Sequence, residues 1–177
     1  RPIKNKISMV CLEEGFPPEL TSGRLPYEFS REFVKRGHDV TVVTVTPRKL
    51  WVKEQLKIPR KRLFYWNRVG DVLTLRCWPQ FSGTSIAMRG IENVLLPFSI
   101  LTGALLAVGK KDIIHCQSPP LLLAFTACVL SSIKRAPLVL RIQDIHPDAL
   151  VKIGVIKNKY VIRTLEILEK FVYCRAD

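Results

Sequence analysis

The sequence lacks the short motifs that mark the commonest nucleotide-binding and metal-binding proteins. No GxGxxG follows the first apolar segment and no GxxxxGK[ST] occurs in the 177 residues. These absences count against a nicotinamide-dependent enzyme, a nucleotide-sugar epimerase and a P-loop ATPase. The five cysteines form no CxxC pair, so the spacing typical of a zinc site is also missing.

Acidic residues are scarce, with 15 Asp and Glu against 28 Lys and Arg, and the formal net charge is +13. A surface of this sign attracts nucleic acid, anionic lipid head groups or phosphorylated small molecules. A solvated basic face explains the same composition. The charge alone leaves these interpretations open.

Long apolar runs are missing as well. The longest, Val94–Val108 and Pro119–Ile133, hold about 15 residues each, and a membrane span needs roughly 20. We interpret both as buried helices. The apolar segment Ile7–Leu12 is too short for a signal peptide, and we expect a cytoplasmic protein whose Cys11, Cys116 and Cys128 are reduced and buried.

Apolar segments of strand and helix type alternate along the chain. The predicted strands are Ile7–Leu12, Val40–Val45, Val72–Trp78, Asp112–Cys116 and Pro137–Ile142. The predicted helices follow Leu25–Phe33, Ile91–Val108, Leu121–Ile133 and Lys159–Tyr173. This order predicts an α/β fold, a Rossmann-like parallel β-sheet with helices on both faces, as a single domain over residues 1–177.

Three polar loops should meet at the carboxyl edge of this sheet, where such folds bind ligands. They are Glu13–Gly23, Gln117–Pro120 and Gln143–Asp148. In the first loop, Gly15 and Gly23 allow backbone to approach a ligand closely. Thr21 or Ser22 can cap the following helix, whose N-terminus suits a phosphate. A plain turn between strand and helix remains the simpler interpretation.

The third loop places Gln143, Asp144, His146 and Asp148 within six residues. Asp144 can accept hydrogen bonds from a sugar or act as a base, and His146 can titrate near neutral pH. Helix capping is the competing interpretation for both aspartates, and a structural role is the competing one for His146. His115, inside an apolar strand, is interpreted as a core histidine.

The stretch 48–68 interleaves Lys and Arg with Trp, Tyr and Phe. It fits contact with an anionic membrane or a lipid-linked acceptor. It also fits an exposed flap whose aromatic side chains fold back on the domain. Nucleic acid is the least favoured ligand.

Four segments resemble the N-terminal domain of retaining glycosyltransferases of the GT-B fold, in the glycogen-synthase and sucrose-synthase-like group that builds polysaccharides. They are FPPELTSG with a helix ending in FVKRGHDVTVVTV, DIIHCQSPP, APLVLRIQDIHPDALVKIG and LEKFVYCRAD. The element QDIHPDA is similar to HDLWPES of members that transfer fucosyl and aminosugar groups. The resemblance is weakest between Pro47 and Glu92.

The resemblance implies a hexosyltransferase-type enzyme that moves a sugar, with retention, from a nucleotide-sugar donor to a glycan or lipid-linked acceptor. It implies no metal and no cofactor besides the nucleotide sugar as co-substrate. The N-terminal domain would hold the acceptor, and the donor-binding C-terminal domain would lie outside this chain, so the chain alone should be inactive. Membrane contact through residues 48–68 would be peripheral, at the inner face.

Many members carry His where this chain has Gln143, so the chemistry is assigned to Asp144 as the catalytic residue. The predicted substrate-binding residues are Gly15, Glu19, Thr21, Ser22, Gly23, Gln117, Ser118, Gln143 and His146. The competing function is a non-catalytic basic module that contacts anionic lipid or nucleic acid.

Overall fold

The computed structural model describes residues 6–18, 20–46, 62–78, 86–143 and 158–177, without the side chains of residues 20–22, 86–90, 92 and 93. The strands are β1 (Ser8–Leu12), β2 (Asp39–Val45), β3 (Phe64–Val69), β4 (Val72–Cys77), β5 (Ile113–Ser118) and β6 (Leu138–Ile142). The helices are α1 (Leu20–Lys35), α2 (Ile86–Ala107), α3 (Leu121–Lys134) and α4 (Lys159–Tyr173).

The strands form one six-stranded sheet in the order β3-β4-β2-β1-β5-β6. The pairs β4–β2, β2–β1, β1–β5 and β5–β6 are parallel, and the edge pair β3–β4 is antiparallel. The chain leaves β1 toward β2 on one side and reaches β5 on the other, so the direction of winding reverses between β1 and β5. The predicted Rossmann-like α/β fold is confirmed.

Helices cover both faces of the sheet, because neighbouring strand residues point to opposite sides. On one face, Met9 and Cys11 of β1 pack with Phe29 and Phe33 of α1. The opposite face buries a larger core under α2 and α3, with Val172 of α4 joining it. The expected apolar stripe of α1 is partly wrong, since its first member, Leu25, is exposed.

The strand β3 is the main element that the sequence analysis missed. The sequence places residues 64–68 in one basic, aromatic stretch, whereas they belong to an edge strand paired from Phe64↔Cys77 to Val69↔Val72. Gly70, with φ of 57°, and Asp71 make the two-residue turn between the strands, a common hairpin connection. Residues 48–61 of that stretch lie outside the described part of the chain.

The cysteines are free, and Cys11, Cys116 and Cys128 are buried as predicted. Cys77 is also buried, while Cys174 is exposed. Among the described residues, no helix has the combined length and hydropathy needed to cross a bilayer.

Candidate functional site

The ends of β1, β5 and β6 place the beginnings of the three predicted loops at one edge of the sheet. Leu12, the last residue of β1, pairs with Cys116 of β5, and Ser118, the last residue of β5, pairs with Ile142 of β6. We call the residues that follow these strand ends, together with Gln117 and Ser118, the rim. The rim comprises 13–18, 117–120 and Gln143, and it spans the β1/β5 position where ligands of such sheets bind.

Residues 13–18, the first segment of the rim, are fixed by a backbone hydrogen bond and by packing. The Glu13 N–H donates to the carbonyl oxygen of Val43 at 3.0 Å, and the Phe16 side chain is buried. A Cβ at Gly23 would lie 2.7 Å from the carbonyl carbon of Phe16. Gly23 therefore allows α1 to pack closely against the loop backbone, and its predicted approach to a ligand stays a prediction.

The helix α1 begins at Leu20, so the expected N-cap at Thr21 or Ser22 is wrong. Both residues lie in the first turn of the helix, beyond the position that a capping side chain occupies. The first turn of α1 packs closely on the loop, since a Cβ at Gly23 would also lie 2.8 Å from the backbone nitrogen of Pro17.

A buried cation anchors the same loop from β4. Arg76 is fully buried; its Nη2 donates to the carbonyl oxygen of Pro17, and its Nη1 donates to the carbonyl oxygen of Val45 at 3.3 Å. Tyr65 is paired with Arg76 across the hairpin. Burial raises the pKa of Tyr65, and the neighbouring Arg76 charge partly opposes this. Charge-assisted bonds of this kind hold a loop more firmly than neutral ones.

A second buried polar pair lies below the rim, between β1 and β5. Glu13 Oε1 lies 3.6 Å from His115 Nδ1, and both side chains are almost completely buried. Neither atom has a hydrogen-bond partner among the described residues. The His115 ring stacks on Phe29 with centroids 4.5 Å apart and 24° between the planes. His115 is thus a core histidine, as predicted, but one that faces a buried carboxylate.

The thiols near this pair, Cys11 and Cys116, are in surroundings that disfavour the reactive thiolate. Burial raises the pKa of Cys11, and the negative charge of Glu13 adds to the effect. The same two causes, in the same order, raise the pKa of Cys116. Since the thiolate is the nucleophile and the metal ligand, these residues are poor candidates for either role. The described residues also contain no group of three or more His, Cys, Asp or Glu able to hold a metal ion.

The rim joins two of the predicted site residues directly. Gln117 Nε2 donates to Gln143 Oε1 at 2.8 Å, and the Gln143 N–H donates to the carbonyl oxygen of Ser118 at 2.9 Å. Gln117 Oε1 is buried without a hydrogen-bond partner in the described structure, whereas Gln143 is exposed. The pair therefore offers amide groups, which bind neutral hydroxyls, at the crevice.

The remaining predicted residues divide into two groups. Gly15 and Ser118 are buried at the rim, so they can contribute backbone groups more readily than side chains. Three predicted residues lie outside the described part of the chain: Glu19, Asp144 and His146. Their assignments remain predictions.

Sequence reasoning missed the roles of Glu13 and Arg76. A signal existed for Arg76, since it is the only charged residue in the strand sequence VLTLRC, and an isolated charge in a buried strand needs a specific partner. Glu13 carried a weaker signal, because a carboxylate at the start of a loop is ordinarily solvated.

The fold and the rim define a Rossmann-like α/β protein with a candidate ligand site at the carboxyl ends of β1, β5 and β6. Compared with known proteins, the chain matches no family model and no curated sequence.

Proposed function

We propose that the chain is the acceptor-side, N-terminal domain of a retaining GT-B glycosyltransferase of hexosyltransferase type. The observation that carries the proposal is the rim, where loops distant in sequence meet at the β1/β5 switch point. The resemblance of four segments, in order, to that group of enzymes agrees with this placement.

The chemistry of the rim suits a neutral, hydroxyl-rich acceptor. The exposed amide of Gln143, whose Oε1 already accepts from Gln117 Nε2, can donate to and accept from sugar hydroxyls. The anchored loop after β1 gives a rigid backbone wall, held by Arg76 at Pro17. Fixed donors and acceptors of this kind orient a substrate without moving at the moment of reaction.

In this proposal Asp144 is the catalytic residue, and it follows Gln143 directly in the sequence. The nucleotide-sugar donor is bound mainly by a C-terminal domain outside this chain, across the cleft from the rim. The acceptor is a glycan or a lipid-linked sugar, and the protein works at the cytoplasmic face of the membrane.

The test is radiolabelled sugar transfer by the full-length protein. Wild type should transfer label from a nucleotide sugar, and Asp144→Ala should reduce kcat at least about a hundredfold, the usual contribution of a positioned acid or base. Asp71→Ala, at the exposed hairpin turn, is the matched control and should leave kcat unchanged. Equal activity of the Asp144→Ala variant and wild type would refute the assignment of Asp144.

The net charge of +13 supports one competing function, a basic module that binds anionic ligands without chemistry. Such a module would bind anionic vesicles or nucleic acid and would show no transfer with any nucleotide sugar. The same experiment therefore separates the two proposals.

A further inference from the structure

An apolar groove opens between the edge hairpin and α2. Its volume is about 230 Å³, and it is lined by Leu63, Phe64, Trp78, Leu95 and Phe98, together with Ser99 and Thr102. Four of these side chains are exposed: Leu63, Trp78, Leu95 and Phe98. Clustered exposed apolar groups in a concave surface mark a binding site more often than isolated ones do.

The groove presents few polar groups that a ligand would have to pair with. The Thr102 hydroxyl donates to the carbonyl oxygens of Phe98 and Ser99, at 3.0 Å each. The helix sequence from Val94 to Ala107 contains no charged residue. A hydrocarbon chain could enter the groove without leaving a buried polar group unpaired.

The groove lies at the same edge of the sheet as the rim. Trp78 directly follows the last residue of β4, and its N–H donates to the carbonyl oxygen of Leu63. The N–H of Thr46, just after β2, donates to the carbonyl oxygen of Cys77. Both bonds lie at the carboxyl ends of parallel strands, the edge where the rim lies.

An exposed cation adjoins the groove. Arg62, which directly precedes Leu63, is exposed, whereas Arg68 and Asp71, the only acidic residue between positions 62 and 78, lie near the hairpin turn at the far end of the strands. Together with the net charge of +13 over the chain, Arg62 favours a phosphate-bearing lipid. Trp66, also exposed on β3, adds an aromatic side chain of the kind enriched at membrane interfaces.

We propose that this groove takes a hydrocarbon chain of a phosphate-bearing lipid and docks the protein on an anionic bilayer. The groove shares Leu63 and Phe64 with the predicted membrane-contact stretch 48–68, and adds Trp78 and the α2 side chains Leu95 and Phe98 to it. The strands β4 and β1 are separated by β2, so two inter-strand spacings, about 10 Å, separate the groove side from the nearest rim segment, and four, about 19 Å, separate it from β6. A lipid-linked diphosphate sugar that runs along the rim would link the groove to the amides of Gln117 and Gln143, and this last step rests on the proposed function.

The experiment uses intrinsic fluorescence and vesicles that carry a quencher in their chains. The protein has three tryptophans, so Trp51→Phe with Trp66→Phe leaves Trp78 as the reporter in the groove. Vesicles of phosphatidylglycerol mixed with dibrominated phosphatidylcholine should quench Trp78 at low salt. Quenching should fall as salt rises, because the cationic contribution is screened.

Phe98→Asp is the disabling variant, and Ile133→Asp is its matched control. Phe98 and Ile133 are 60% and 57% exposed, so either change should leave the fold intact, which circular dichroism checks. Phe98→Asp should weaken vesicle binding at least about tenfold, because it places a charge against hydrocarbon. Ile133→Asp, on α3 and outside the groove, should change it less than about twofold, since a scattered exposed apolar residue has little effect.

Three results would overturn the proposal: equal binding of neutral and anionic vesicles, no quenching of Trp78 at low salt, or equal loss in both aspartate variants. Concentration-dependent self-association that Phe98→Asp abolishes, without lipid binding, would instead assign the groove to a second copy of the chain. Vesicle binding does not require sugar transfer. A full-length protein that transfers no sugar from any nucleotide sugar but still binds through the groove would refute the transferase proposal and leave this one standing.

Discussion

Removing one partner of the buried Glu13–His115 pair should destabilise the fold strongly, and removing both should restore most of the loss. The perturbations are Glu13→Met and His115→Phe, which replace each polar side chain by an apolar one of similar length. Phe at position 115 can keep the stack on Phe29 that the imidazole makes now. Each single variant leaves a buried polar group without its neighbour.

The expected magnitude follows from the separation and burial of the pair. Oε1 and Nδ1 lie 3.6 Å apart and both side chains are almost completely buried, so either group left alone stays desolvated beside an apolar replacement. Leaving a buried polar group without a partner costs about 1–3 kcal/mol, and more when the group is charged. The double variant should recover to within about 1–2 kcal/mol of wild type, since well-packed apolar replacements of buried pairs are often close to neutral.

The assay is guanidinium unfolding followed by circular dichroism, with the four proteins of a double-mutant cycle. Arg163 and Glu166 provide the control, because they are also 3.6 Å apart but are exposed on α4. Glu166→Met should cost less than about 1 kcal/mol. Two single variants whose losses add in the double variant, or a Glu13→Met loss no larger than that of Glu166→Met, would refute the reasoning.

Three further predictions concern the loop, the thiols and the amino edge of the sheet. In denaturant unfolding, Gly23→Ala should lower the free energy of unfolding by about 1–3 kcal/mol, since overpacking forces backbone shifts. Gly109→Ala is the control and should be close to neutral, because its Cβ would meet nothing within 4 Å. Equal losses in the two variants would contradict this prediction. At pH 8 a thiol reagent should modify one cysteine quickly, the exposed Cys174, whereas Cys77, whose pKa burial raises to about 12, should react only on unfolding; a fast reaction that survives Cys174→Ser would be inconsistent. The pKa of Asp112 is lowered by hydrogen bonds from Ser8, so this carboxylate stabilises the fold above its unfolded pKa and loses that effect as pH falls through the lower folded value; Asp112→Asn should flatten the decline of Tm below about pH 4, and an unchanged decline would argue against it.

The sequence predicted the fold best where apolar periodicity was long and uninterrupted. The helix at Lys159–Tyr173 has the predicted limits. Of its predicted apolar face, Leu165, Leu168 and Val172 pack on the core, whereas Val161 is exposed. The parallel strands were predicted within one or two residues for a similar reason, since buried strands give continuous apolar runs.

The sequence was least informative where a contact depends on the tertiary fold. The strand β3 escaped prediction because its side chains alternate between Tyr65, which is buried, and Trp66, which is exposed, within a run of cations that suggested a surface flap. The partners of Arg76 and Glu13 could not be predicted either. Pro17 lies 59 residues from Arg76, and no local pattern selects such a pair.

The candidate site was predicted in its location more than in its details. The topology rule placed the loops at one edge, and the Gln117–Gln143 hydrogen bond joins two of the predicted residues. The first turn of α1 differs from the prediction, since the helix begins at Leu20 and Gly23 packs on the loop. A helix start is set by tertiary contacts as much as by capping residues, so it is poorly defined by sequence alone.

The central claim, that the rim is the acceptor wall of a sugar-transferring cleft, is tested most directly by steady-state transfer kinetics of the full-length protein carrying Gln143→Ala. The account predicts an acceptor KM raised at least about tenfold, the effect of losing a hydrogen bond or two, with the donor KM unchanged. Ser132→Ala, at the far end of α3, should match wild type in both. An unchanged acceptor KM in the Gln143→Ala variant would contradict the account.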